Sequence, residues 1–96
     1  MRLRKEEIEL IKNEITKLID GDIYIFGSQI DYNKRGGDID IFIIPKENLS
    51  VKERVKIANE IKINLEFELF RNIDVIISKD KNRSIEKEAL KGIKIG

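Results

Sequence analysis

Between residues 5 and 19 the apolar positions Ile8, Ile11, Ile15, Leu18 and Ile19 mostly fall three or four apart, with lysine and glutamate filling the gaps. That period lays one apolar stripe along a helix, and Asp20-Gly21-Asp22 ends it. The pattern then changes to short apolar runs. "IYIF" at 23–26 is β-branched and aromatic and predicts a buried strand. Gly27-Ser28 closes that strand, with Ser28 placed to cap a short helical turn over 29–33. After the loop Lys34-Arg35-Gly36-Gly37, the run from Asp38 to Ile44 predicts a second strand, closed by Pro45. "SVKE" at 50–53 has the capping-box form, with Ser50 as cap and Glu53 at N3. It opens a helix whose apolar face is marked by Val51, Val55, Ala58, Ile61 and Leu65 and which runs to about Leu69. "IDVII" at 73–77 predicts a third strand, and a last helix starts near Ser84, with Ile85 and Ala89 inward and Gly92 as its C′ stop. This order predicts a single α/β domain over residues 1–96, a three-stranded mixed sheet packed by about four helices.

Length and composition narrow the chemistry more than the fold. Ninety-six residues hold one core with a thin margin. Charged residues make up 39% of the chain, against about 25% in an ordinary domain. Lys+Arg 19 nearly cancels Asp+Glu 18, so the surface is densely charged but balanced. A dedicated nucleic-acid binder would carry a basic excess, so nucleic acid is not the expected partner. Cysteine and histidine are absent, which excludes disulfides, thiolate sites and imidazole acid–base or zinc chemistry. Catalysis in this chain must rest on carboxylates, hydroxyls, lysines or oxygen-bound metals such as Mg²⁺. The start, "MRLRKEEIELIKNEI", is too charged for a signal peptide, and no apolar run approaches the roughly 18 residues of a membrane span. A cytoplasmic protein without a membrane partner is the expectation.

Three features stand out against this background. Asp38 and Asp40 open the strand "DIDIFII" on one face, their Cα atoms roughly 6.5–7 Å apart, with Phe42 and Ile44 continuing that face and Ile39, Ile41 and Ile43 lining the other. Like charges so placed repel unless a cation lies between them, and hard carboxylate oxygens suit Mg²⁺ or Mn²⁺. Asp74 repeats the pattern inside "NIDVII". If its strand neighbours the second, it completes a three-carboxylate cluster able to hold two metals about 3.5–4 Å apart for displacement at phosphorus. Gly27 allows close backbone approach to a ligand, and Ser28 at a helix N-terminus offers a hydroxyl and free N–H groups to an anion. Singly, each has a plain reading: a solvated turn, an exposed edge residue, a helix cap. Together, in this order, they describe a nucleotide site without a Walker loop.

At these residues the sequence resembles the minimal nucleotidyltransferases of the DNA polymerase beta-like superfamily. The parts are "IYIFGS", the nine-residue spacer "QIDYNKRGG", "DIDIFII" and "NIDVIIS". The likeness spans about residues 5 to 90. It implies a polymerase beta palm-like fold, with Gly27 and Ser28 holding a nucleoside triphosphate. Asp38 and Asp40 would bind the two Mg²⁺ (or Mn²⁺) ions that bridge it, and Asp74 would bind the catalytic metal and help activate the attacking hydroxyl. The implied reaction moves a nucleoside monophosphate, AMP from ATP, to an acceptor hydroxyl with release of pyrophosphate. Members this short resemble the small partner of two-gene modules that also encode a helical HEPN toxin, in some of which the nucleotidyltransferase acts as antitoxin by adenylylating that toxin. The alternative is an antitoxin that neutralises its partner by contact, without turnover. The chain departs from many relatives in carrying Gln29 after Gly-Ser where they have Arg, and its spacer is one residue shorter; Lys34 and Arg35 could replace the missing charge. Phe67, Leu69 and Phe70 leave a homo-oligomer open, although packing within the monomer is their expected use.

Overall fold

A computed structural model of the chain describes residues 3–26, 39–78 and 92–96. Within them the elements run α1 (Lys5–Thr16), β1 (Gly21–Phe26), β2 (Ile39–Pro45), α2 (Val51–Leu69), β3 (Ile73–Ile77) and β4 (Ile93–Lys94). The strands lie in the order β3-β2-β1-β4. β1 is antiparallel to both β2 and β4, while β2 and β3 run parallel, joined by α2 as a parallel pair requires. The sheet is therefore mixed, as expected, but has four strands among the described residues rather than three. β4 is two residues long and leaves no apolar run to detect. Backbone bonds continue its pairing: Ile23 donates to the Gly96 carbonyl at 2.9 Å and Ile95 to the Ile23 carbonyl at 2.8 Å. Gly92, expected as a helix stop, stands directly before this strand. The helical turn over 29–33 and the helix expected from Ser84, with Ile85 and Ala89, lie outside the described residues. No helix among the described residues is long and apolar enough to cross a membrane.

Strand alternation decides where the core sits. Ile39, Ile41 and Ile43 of β2 are buried with Ile23 and Ile25 of β1 and Ile73 and Ile77 of β3. Against this isoleucine face pack Ile11 and Ile15 of α1 and Ile61 and Leu65 of α2. α1 ends at Thr16 rather than 19, and beyond it the Leu18 N–H donates to the Ile15 carbonyl three residues back at 3.0 Å, which tightens the last turn. This tight turn still buries Ile19. The expected capping box at the start of α2 is present: Glu53 N–H donates to Ser50 Oγ and Ser50 N–H to Glu53 Oε1, both at 3.1 Å.

Other α2 expectations are corrected. Val51 and Val55 are 65% and 54% exposed, because the inward stripe is set by Ile61 and Leu65 with Ile57, Ala58 and Leu69 beside them. Leu69 packs against the core as expected, but Phe67 and Phe70 do not, being 77% and 90% exposed. Phe70 caps the helix in the left-handed conformation (φ 54°) and donates its N–H to the Glu66 carbonyl at 3.0 Å. That conformation costs a non-glycine residue about 1–2 kcal/mol. One turn earlier, Lys62 and Glu66 reach across to Ile73, the first residue of β3.

Gly21 marks a close approach of β1 to β2, where a Cβ would overlap the Ile44 carbonyl oxygen and stand 2.8 Å from Pro45 Cα. Backbone cannot yield cheaply there, so Gly21→Ala is expected to destabilise the protein by about 1–3 kcal/mol in urea titration. The hydrogen bonds from Ser50 lower the Glu53 carboxyl below the ordinary glutamate value of 4.5. Those from Lys62 and then the Ile73 N–H do the same for Glu66. A carboxyl depressed in the folded state contributes stability that is complete above its unfolded value and is lost as pH falls through the folded one. Stability should therefore decline below about pH 4.5, and less steeply in the double variant Glu53→Gln/Glu66→Gln, measured by thermal unfolding across pH 2–6.

Candidate functional site

β2 and β3 each begin with a buried isoleucine followed by an aspartate, and the parallel register sets Ile39 beside Ile73 and Asp40 beside Asp74. Residues in register point to the same face, so the two aspartates share the face opposite the isoleucine core, on neighbouring strands about 4.8 Å apart. The strand adjacency on which the third carboxylate depended is present. Asp40 is half-buried and Asp74 exposed. On the other side of Asp40 the antiparallel register places Phe26, the last residue of β1. β1 thus ends level with the aspartates, and Gly27 and Ser28 follow it in sequence. Gly27, Ser28 and Asp38, with Gln29, Lys34 and Arg35, lie outside the described residues. Among the described residues no group of three or more acidic side chains converges, which leaves Asp40 and Asp74 as the described part of the predicted cluster.

The same face continues away from the aspartates as an apolar band. Tyr24 stands opposite Phe42; both are buried, with Ile44 packed against them. Phe42 and Ile44 were expected on this face. Tyr24 was missed because its place depends on pairing between strands, which "IYIF" does not disclose. At the far side, Asp22 faces Lys94 of β4 with Oδ1 and Nζ 3.6 Å apart. The face therefore divides into a carboxylate end, an aromatic middle and an ion-paired end. A separate, mainly apolar depression of about 160 Å³, lined by Leu18, Ile19, Pro45, Leu49 and Ile57 with Asp20 and Glu47, lies at the opposite end of β2.

Among the described residues, the donors at the carboxylate end are the oxygens of Asp40 and Asp74. Like charges directly across a strand pair are destabilising, and a divalent hard cation relieves that repulsion while accepting carboxylate oxygens. The residues present thus fit Mg²⁺ or Mn²⁺ and would not select a thiophilic metal.

A family model described as Polymerase beta, Nucleotidyltransferase matches residues 6–95. Among solved structures, the chain is similar to one from the MntA-HepT toxin-antitoxin, with a TM-score of 0.65 at 18% identity, over 97% of this chain and 72% of the other. A toxin-antitoxin solved with AMP-PNP gives a TM-score of 0.65 at 21% identity, over 98% and 73% of the two chains. A tri-AMPylated Shewanella oneidensis HEPN toxin in complex with MNT antitoxin gives 0.52 at 22%, over 93% and 71%. Identities this low speak to the fold. No curated protein sequence matches at a significant level.

If the aspartates hold a divalent ion, Mg²⁺ or Mn²⁺ with ATP should raise the melting temperature by mass action. Asp40→Asn should abolish that rise, since it removes one of the two carboxylates the register brings together. A variant that responds to metal and ATP as the wild type does would dismiss the metal site.

Proposed function

Because this chain belongs to the polymerase beta nucleotidyltransferase family, we propose that it transfers AMP from ATP to a hydroxyl on a helical, HEPN-type partner protein and acts as the antitoxin of that pair. The observation that carries this reading is the register of Asp40 with Asp74: two carboxylates that the fold holds side by side on the sheet face opposite the isoleucine core. The relatives of similar fold, among them an AMPylated HEPN toxin with MNT antitoxin and a toxin-antitoxin solved with AMP-PNP, support the choice of nucleotide and partner.

The bound Mg²⁺ ions would supply charge neutralisation on the phosphates. Asp38 and Asp40 would hold the ions, with Asp74 completing the ligand set. Gly27 and Ser28 would seat the phosphates at the end of β1. Asp74 orients the acceptor hydroxyl and takes its proton as the acceptor oxygen bonds to the α-phosphorus. The bond from that phosphorus to the bridging oxygen breaks, and pyrophosphate leaves with the electron pair. A docked partner would provide positioning of the acceptor hydroxyl, which can contribute on the order of 7–11 kcal/mol.

Intact-mass measurement of the partner after incubation with the protein, Mg²⁺ and ATP tests this. The expected result is AMP added to the partner. Asp38→Asn should nearly abolish the transfer because it removes a metal ligand, whereas Ser28→Ala should reduce it moderately because backbone N–H groups persist. No added AMP with wild-type protein and metal would replace this reading with neutralisation by contact.

A further inference from the structure

For Asp74 to stand beside Asp40, the start of β3 must be fixed at the edge of the sheet. Ile39 N–H donates to the Asn72 carbonyl at 3.0 Å, so Ile39 is the residue bonded across this rung of the parallel ladder. The N–H and C=O of its partner Ile73 accordingly point away from β2. Both are met by α2. Ile73 N–H donates to Glu66 Oε2 at 3.1 Å, and Lys62 Nζ donates to the Ile73 carbonyl at 2.7 Å. The two side chains close the ring, Lys62 Nζ donating to Glu66 Oε2 at 2.9 Å. An i,i+4 ion pair thus stands in for the missing strand and holds both backbone groups of the residue before Asp74. The isoleucine side chain of the same residue is fully buried, so Ile73 is anchored on its core side and along its outer edge at once.

We infer that Lys62 and Glu66 are positioning residues for the site, acting through Ile73 to set the register and orientation of Asp74 against Asp40. This rests on the nucleotidyl-transfer reading above. An exposed ion pair serving the helix alone contributes little, and a pair that only guarded the strand edge would affect stability without touching metal affinity. A pair that orients a metal-binding carboxylate must affect both metal affinity and turnover.

The experiment is calorimetric titration of the full chain with Mn²⁺ alone, followed by AMP-transfer kinetics at saturating metal, all well below each variant's melting temperature. Lys62→Met and Glu66→Ala are expected to weaken Mn²⁺ binding and lower kcat by about 10–100-fold, with KM for ATP near wild type. Lys62→Arg should restore most of both, since it keeps the charge and a donor for the Ile73 carbonyl. Lys56→Met, an exposed change on the same helix, should do neither. Should Lys62→Met fail to fold, Glu66→Gln decides: it keeps an acceptor for the Ile73 N–H and loses the charge, so an intermediate loss is expected. Folded Lys62 or Glu66 variants with wild-type Mn²⁺ affinity would overturn the inference. Wild-type protein that binds Mn²⁺ but transfers no AMP would remove the transfer reading and leave the positioning role standing on the Mn²⁺ result. Wild-type protein that binds no Mn²⁺ would remove the positioning role.

Discussion

The register of β2 is the constraint on which the rest of this structure depends. Ile39, Ile41 and Ile43 have essentially no contact with solvent, and β1 and β3 are both aligned to them. A slip of one residue would turn every side chain of the strand to the other face. Asp40 would enter the isoleucine core, where an unpaired charge is heavily penalised, and Ile39, Ile41 and Ile43 would leave it. The isoleucine packing that stabilises the sheet is therefore also what holds Asp40 on the opposite face and level with Asp74. The core thus aligns the two strands from behind, while Lys62 and Glu66 hold the start of β3 from its outer side.

Much of this was legible in the sequence where one local signal dominated. Alternation in "DIDIFII" disclosed the second strand and the face of Asp40, "IDVII" disclosed the third strand, and "SVKE" disclosed the start of α2. What was not legible depends on pairing or on competition between faces. β4 is two residues long and exists through its bonds to β1. Val51 and Val55 fit the helical period that carries Leu65 and Leu69, but the period does not show how far along α2 the core extends, and the packed residues run from Ile57 to Leu69. At the site, Asp40 and Asp74 could be named, and their adjacency could be stated only as a condition on strand order. Lys62 and Glu66 have the spacing of an ordinary i,i+4 pair on a charged helix; nothing in the chain's period shows that both reach a strand.

The near-balance of charge across the chain conceals a local difference. On the helices and strand ends, acids meet bases one turn or one strand away: Glu14 with Lys17, Asp20 with Lys46, Asp22 with Lys94. These exposed pairs contribute little stability each. Asp40 and Asp74 are arranged on another principle, since the register places carboxylate beside carboxylate. Net charge of +1 says nothing of such a pair, and a reading from composition alone would treat all eighteen acids alike.

α2 connects these two levels of organisation. Its helical period puts Ile61 and Leu65 on the core side and, one position on in each turn, Lys62 and Glu66 at the flank nearest β3. The same two turns therefore bury the isoleucine face and grip the outer edge of the strand that carries Asp74. Packing cannot loosen at Ile61 or Leu65 without also moving the groups that hold Ile73, so stability of the core and placement of the carboxylate are mechanically coupled through one helix. The left-handed Phe70 belongs to this arrangement: by ending α2 one turn past Glu66, it lets the chain reverse within three residues and enter β3 directly beneath the Lys62–Glu66 pair. The strain of a non-glycine residue in that conformation is the cost of so short a return.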